Sequence, residues 1–432
     1  MAKVIGIRRE DKNRWERRTP LAPDDVKELI EKHGIKVIVQ PSKIRIFSDE
    51  EYEKVHAEIN EDLSEADLIL AVKEIPIHLL QEGKTYAFFS HTIKGQSYNM
   101  DMLKKMVELK CSLIDYERIL DEQNRRLLFF GKYAGLAGMV ETLHAYGQKL
   151  KLRGYDTPLE KIKQAYEYDS LEDAAAAVKT VGEDITILGL PEGLASLVVG
   201  FAGYGNTSIG GQEIFDLLPH KEISPADLGK DLPAEHYNFY KVVFREEDMM
   251  KAKEGEFSLQ DYFQNPGKYE SQFGKYIPYI DVLMLCIYWT EDYPRLLTKE
   301  YLIEKNKAGS NVKLSVIGDI TCDIEGAVEI TYKSTKPDMA TFTYFAGEDA
   351  YKEGIHPAGV TVMAIDNLPC EFPRESSVYF SSVLRGFIDN IAAVDFEKSF
   401  ENLKLTDPIR KALILQRGAF TPDYRYMEDF IK

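Results

Sequence analysis

The stretch SLVVGFAGYGNTSIGGQEIF, residues 196–215, decides the fold. The apolar run SLVVGFA ends in a glycine cluster, Gly203-Tyr-Gly205-Asn206-Thr-Ser208-Ile-Gly210, and a helical IFDLL follows at once. Strand, tight turn and helix in that order are the context a dinucleotide fingerprint needs. The first glycine makes the turn, and the second lets backbone amides approach a pyrophosphate at the helix N-terminus. Ser208 replaces the third glycine of the G-x-G-x-x-G pattern and is small enough for close packing, with Gly210 two places later. A G-x-G turn alone is weak and also occurs as a ligand-free loop, so the flanking pattern carries the assignment. About 20 residues beyond the first glycine, where an acidic residue would bind a ribose, the chain reads HKEISPADL. Glu222 and Asp227 both suit that role, while Lys221 is as near and suits a 2′-phosphate, which leaves NAD and NADP open.

Upstream, short apolar runs alternate with helical patterns: VIGI (4–7), PDDVKELIEKHG, KVIVQ (36–40), LILAVKE (68–74), YAFFSH (86–91) and CSLIDYE (111–117). Such alternation predicts βαβ units on a mostly parallel sheet. A long helical stretch opens at Gly138 and runs through MVETLHAYGQKLKL, as a linker helix leaving that sheet. After a polar amphipathic region (155–182), strands are expected at ITILGL and SLVVGFA. Residues 229–275 read as an insertion with helical turns such as SLQDYFQ, and strands resume at DVLMLCIYW (281–289), KLSVIGDI (313–320) and VTVMAID (360–366). A late helix at about 375–392 predicts that the chain returns to complete its first domain. The expectation is an α/β protein of two Rossmann-like domains, parallel sheets flanked by helices, with a cleft between them. Residues 1–135 with 325–432 would form a discontinuous substrate and catalytic domain, and 136–324 the dinucleotide-binding domain.

Composition agrees with this and excludes other classes. The 432 residues are 44% hydrophobic with 29 Gly and 18 Pro, too long for one core and unlike a fibrous or disordered chain. With 54 Lys and Arg against 71 Asp and Glu, the net charge of −17 repels phosphate backbones and anionic membranes, so no nucleic-acid or membrane partner is expected. Cys111, Cys286, Cys322 and Cys370 lie too far apart for a CxxC or knuckle-type zinc motif and read as buried thiols of a reducing compartment. AKVIGIRRE does not read as a signal peptide, and no run approaches the ~20 apolar residues of a membrane helix. The expected location is the cytoplasm.

Ionisable residues fall at the ends of the first domain's strands: Arg18 in WERRTPLAP, Lys73 and Glu74 after LILAV, His91 after YAFFS and Glu117 after CSLIDY. Any one alone reads as a surface ion pair. Lys, His and two Glu, four residues at successive strand ends, form an acid/base set at the edge where open α/β sheets bind ligands. No metal-ligand spacing is present, so no metal is expected.

These segments resemble a known family. RREDKNRWERRTPLAP (8–23), KTYAFFSHTIKGQSYNM (84–100), LIDYERILDEQNRRLLFFGKYAGLAGM (113–139), GYGNTSIGGQEIF (203–215), CIYWTEDYPRLLT (286–298), IGDITCDIEGAVE (317–329) and AIDNLPCEFPRESS (364–377) are similar to the lysine–2-oxoglutarate reductase domain of the bifunctional aminoadipic semialdehyde synthase. More distantly they are similar to the lysine-forming saccharopine dehydrogenases and to the N-terminal family of alanine dehydrogenase and transhydrogenase. The likeness covers the reductase half only. It implies NADPH- or NADH-dependent condensation of L-lysine with 2-oxoglutarate to saccharopine, or the reverse, with NADPH ahead of NADH and a separate saccharopine dehydrogenase acting on the product. By position it implies Lys73 and His91 as the acid/base pair, and Arg18 and Arg125 as carboxylate ligands. It further implies Glu74 and Glu117 as tuning charges, Gly203, Gly205, Asn206, Ser208 and Gly210 under the cofactor, and Asp323 at the nicotinamide side. Asn367 and Arg374 read as turn and helix-start residues. The rival readings are an amino-acid dehydrogenase of the same superfamily, using ammonia, and a catalytically silent nucleotide-binding relative.

Overall fold

The computed structural model describes residues 4–194, 196–310 and 312–432. The chain divides into two compact units, Met1–Phe130 with Pro373–Lys432, and Gly131–Phe372.

In the first unit, strands β1 (Val4–Ile7), β2 (Lys36–Val39), β3 (Glu58–Ile59), β4 (Leu68–Leu70), β5 (Thr85–Phe88) and β6 (Ser112–Asp115) are parallel, in the order β6-β5-β4-β1-β2-β3. Two C-terminal strands, Leu413–Gln416 and Ala419–Phe420, extend the β6 edge antiparallel. β1, β4, β5 and β6 are buried along their whole length, which is why they read as apolar runs. Between β1 and β2 runs the helix Pro23–His33. Pro23 opens it, Asp24 and Asp25 face its positive end, Lys32 and His33 its negative end, and Gly34 stops it at φ 63°. The returning helix, Pro373–Ala393, locks onto that segment: the amides of Thr19 and Ala22 donate to Ser377 and Ser381 (3.1 and 2.7 Å), and Arg385 pairs with Asp25 and Glu28.

The second unit has its own eight-stranded sheet. Its strands are β7 (Val198–Ala202), β8 (His220–Glu222), β9 (Phe239–Phe244), β12 (Val282–Leu285), β13 (Val316–Asp319), β14 (Thr341–Phe345), β15 (Ala350–Glu353) and β16 (Val360–Met363), while β10 (Met250–Ala252) and β11 (Tyr269–Ser271) pair separately. The order is β15-β14-β16-β13-β12-β7-β9-β8, with β14 antiparallel to both its neighbours and every other neighbouring pair parallel. The helix Gly131–Leu152 lies against the helix Asn206–Phe215 almost backbone to backbone. A Cβ on Gly135 would stand 1.9 Å from the Thr207 carbonyl, and one on Gly210 would stand 2.1 Å from that of Lys132.

Three expectations need correction. The return to the first unit falls at Pro373, not 325, because β14, β15 and β16 continue the second sheet. ITILGL is not a strand: Ile185–Leu188 end the helix Leu171–Leu188, whose Val178, Val181 and Ile185 are buried at helical spacing between the Ser170 cap and Gly189 at φ 74°. The segment 229–275 is more than an insertion, since β9 runs through it beside β7, with Lys241 buried in the strand against Asp216 and Glu222. No helix among the described residues is long and apolar enough to cross a membrane, and the four cysteines are free thiols.

Candidate active site

Parallel register brings the predicted residues of the first unit to one sheet edge. Ile7 lies opposite Leu70, Leu70 opposite Ala87, and Phe88 opposite Asp115, so the segments after β1, β4, β5 and β6 emerge side by side. β1 is the switch point, with β2 and β3 to one side and β4, β5 and β6 to the other, the place where such sheets leave a crevice.

After β5 the chain turns sharply at His91, a non-glycine residue with φ 48°. The Asn99 amide holds that turn by donating to the carbonyl oxygens of Ser90 (2.9 Å) and His91 (3.4 Å). His91 Nδ1 then meets Glu74 Oε1 at 2.5 Å, and Glu74 Oε2 takes Lys12 at 3.3 Å. Burial pushes the Glu74 carboxyl up, but the bond and charge of His91 outweigh it and bring the group down to about 2. Glu74 is therefore an anion at neutral pH, and His91 Nδ1 carries the hydrogen between them. Lys73 is largely buried, and its ammonium is pushed below the ordinary value first by that burial and then by Arg18.

Arg18 is 2% exposed and clamped by Glu16, with Nε to Oε1 at 2.7 Å and Nη2 to Oε2 at 2.6 Å, while its plane lies 4.3 Å over the Phe130 ring. Glu117 pairs with Arg126 at 3.1 Å. Arg125 is placed elsewhere: its exposed side chain folds onto Asp121 at 2.7 Å in the turn closed by the Leu120–Arg126 bridge.

The structure adds three buried carboxyls that the sequence reading missed. Glu10 accepts the amides of Val72 (2.6 Å) and Lys73 (3.1 Å), fixing the strand end that carries Lys73. Burial, with Glu16 adding to it, lifts Glu10 to about 7. Glu16 is the partner of Arg18. Asp115 takes the Ser90 hydroxyl and the Glu117 amide and is pushed up to about 6 by burial. The Tyr116 hydroxyl is buried close by with no hydrogen-bond partner among the described residues. A buried charge and a surface charge are written with the same letters, so nothing in RREDKNRWERR or CSLIDYE marks these three.

In the second unit the carboxyl ends of β9, β7, β12 and β13 share an edge, and β7 is its switch point. Gly203 turns the chain at φ 99°, its amide donates to the Phe244 carbonyl at 3.0 Å, and a Cβ there would stand 2.9 Å from the Cys286 carbonyl. Gly205 caps the helix Asn206–Phe215 with nothing within 4 Å of where a Cβ would stand. A left-handed turn, open space over the second glycine and a bare helix N-terminus fit a dinucleotide pyrophosphate. Ser208 is buried and accepts from Gln212 at 3.0 Å, and Gly210 serves the helix contact described above. Asp323 stands in the turn after β13. That turn is shaped by the buried Asp319, which accepts from the Thr321 amide and hydroxyl, the Cys322 amide and the Thr331 hydroxyl. Among the described residues no group of His, Cys, Asp and Glu could hold a metal ion.

Comparison with known proteins follows the same lines. Residues 6–137 match the family model of the alanine dehydrogenase/PNT N-terminal domain. The chain is 39% identical over 444 residues to alpha-aminoadipic semialdehyde synthase of Arabidopsis thaliana, a match covering 98% of this chain and 41% of that protein. It is 26% identical to the NAD(+), L-lysine-forming saccharopine dehydrogenase of Yarrowia lipolytica, covering 85% of this chain and 87% of that one. The chain thus spans less than half the length of the plant synthase it matches. Among solved structures, an L-alanine dehydrogenase superposes with a TM-score of 0.63 at 15% identity over 99% of this chain and 100% of that one, a likeness of fold.

Proposed function

We propose that this chain is a nicotinamide-dependent oxidoreductase that joins the ε-amino group of L-lysine to the keto carbon of 2-oxoglutarate, giving saccharopine, or runs that reaction in reverse. The observation that carries the reading is the cluster of Lys73, the Glu74–His91 pair and the clamped Arg18 on one sheet edge. Likeness to a synthase across nearly the whole chain supports it.

The condensation requires three things of the protein. The lysine amine must lose a proton to attack, the carbinolamine oxygen must gain protons to leave as water, and the keto acid must be held still. His91 Nε2, with Glu74 orienting the ring through Nδ1, is suited to take the proton from the attacking amine. Lys73, moved toward working pH by burial and by Arg18, is suited to give a proton to the departing oxygen. Arg18, clamped by Glu16, is suited to hold a carboxylate of 2-oxoglutarate through its planar guanidinium. Bound NADH or NADPH supplies the hydride, and Gly203, Gly205 and the first amides of the helix Asn206–Phe215 would hold its pyrophosphate.

The test is incubation with lysine labelled with ¹⁵N at the ε position, 2-oxoglutarate and reduced cofactor, with the product read by mass spectrometry. Labelled saccharopine supports the reading, whereas free labelled ammonia or labelled glutamate would refute it. The amino-acid dehydrogenase reading rests on the family model over residues 6–137 and differs in taking ammonia as the amine.

A further inference from the structure

We infer that Arg245, seated against Tyr204, is the residue that selects the dinucleotide by gripping a 2′-phosphate on the adenosine ribose. The inference rests on the reading that the glycine turn holds a nicotinamide dinucleotide.

Strand order carries the argument. In a doubly wound sheet the ribose next to the adenine lies at the carboxyl end of the strand neighbouring the one that feeds the glycine turn. Spacing along the chain points to residues 220–228 for that position, but the sheet does not follow the chain. β8, which holds Lys221 and Glu222, is the outer strand, separated from β7 by β9, hence roughly 10 Å away at the usual strand spacing. The charges of residues 220–228 are also engaged: Lys221 pairs with Glu235, Glu222 with Lys241, and Asp227 with Lys230. The strand beside β7 is β9, whose last carbonyl, that of Phe244, accepts the Gly203 amide at 3.0 Å. The next residue is Arg245.

A dinucleotide without the phosphate is recognised at that point by a carboxylate accepting from the ribose hydroxyls, and one carrying it by an arginine. This chain presents an exposed guanidinium 4.7 Å over the Tyr204 ring, which lies inside the glycine turn itself. The carboxylates that follow are partly turned to other work. Asp248 accepts the Arg245 amide at 2.9 Å, and Glu246 meets the Tyr204 hydroxyl, so the tyrosine is fixed from its far end while its face carries the arginine. Glu246 keeps one buried carboxylate oxygen without a hydrogen-bond partner among the described residues, which makes a ribose hydroxyl the competing occupant of the spot.

The experiment is calorimetric titration of the full chain with NADPH, NADH and adenosine 2′,5′-bisphosphate, in the wild type and in Arg245→Gln and Glu246→Gln, with thermal melting as the folding control. The assignment predicts that the wild type binds NADPH at least 10-fold tighter than NADH. Arg245→Gln should weaken NADPH and the bisphosphate by 10-fold or more while changing NADH less than 3-fold. Equal affinity for the two dinucleotides, insensitive to Arg245→Gln, would overturn the assignment and leave the dinucleotide reading standing. Preference for NADH that is lost in Glu246→Gln would hand the position to the carboxylate. Binding of none of the three would overturn the assignment together with the reading beneath it.

Discussion

Two glycines of one motif should fail in opposite ways. At Gly205 the backbone is extended at φ −76° and a Cβ would meet nothing within 4 Å, so valine fits the free protein. Loss of glycine at a helix N-cap costs at most about 1 kcal/mol. Its methyls would fill the space over the helix N-terminus that a pyrophosphate needs. Two charge-assisted bonds of about 1.5 kcal/mol each then go, and dinucleotide affinity should fall about 100-fold or more. Gly210→Ala reverses this. Its Cβ would stand 2.1 Å from the Lys132 carbonyl, so the helices Asn206–Phe215 and Gly131–Leu152 must separate by about 1 Å at a cost of about 1–3 kcal/mol or more, which the roughly 1 kcal/mol gain in helix propensity offsets only in part. At about 2–4 °C per kcal/mol for a unit of this size, the melting temperature should drop by several degrees. Differential scanning calorimetry with NADPH titration separates the two. The reasoning is refuted if Gly205→Val melts as low as Gly210→Ala, or if it keeps wild-type affinity.

Other outcomes follow from the same geometry. Lys73→Met and His91→Gln should each lower turnover by ~10²-fold or more, with dinucleotide affinity little changed by calorimetry. Arg18→Ala should raise the KM for 2-oxoglutarate by ~10-fold or more and remove the arginine paired with the buried Glu16, a loss of about 3–5 kcal/mol that denaturant melts would detect. Glu141 and Glu371 are buried together in the second unit: burial lifts Glu141 to about 7, and burial with the charge of Glu141 lifts Glu371 well above its usual range, so Glu371 stays protonated beside Glu141. Since the folded values lie above the unfolded ones, their stabilisation is full below about pH 4.3 and fades as pH rises through about 7. Glu371→Gln, which removes a titrating carboxyl from that site, should therefore gain melting temperature relative to wild type between pH 5 and 8, and a constant difference would contradict the coupling.

Much of the fold was legible because parallel strands buried on both faces must be apolar runs, as at VIGI and LIL, and because Pro23 and Gly34 mark a helix by conformational preference alone. The misread elements are places where tertiary contacts override local preference. Ile185-Thr-Ile-Leu188 is β-branched yet completes a helix capped at both ends, and β9 tolerates Lys241 because two carboxylates meet it. Strand order is not written in spacing: β9, not the strand that holds residues 220–222, lies beside β7, so the proposed adenosine position is at the end of β9. At the candidate site, Lys73, Glu74, His91 and Glu117 were visible as ionisable groups at strand ends. Glu10, Glu16 and Asp115 were not, since burial alone distinguishes them from surface acids. The choice between Arg125 and Arg126 depends on which side of a two-residue bridge faces Glu117, and only coordinates show it.

The central claim is that this chain reduces the imine of lysine and 2-oxoglutarate. It is tested most directly by following NADPH and NADH oxidation with lysine plus 2-oxoglutarate against pyruvate plus ammonia, across pH 6 to 9. The account predicts turnover with the first pair that falls by ~10²-fold or more in His91→Gln and is absent with the second pair. Turnover with pyruvate and ammonia alone would make it an amino-acid dehydrogenase, and binding of the reduced dinucleotide without oxidation under any of these conditions would contradict the claim of catalysis altogether.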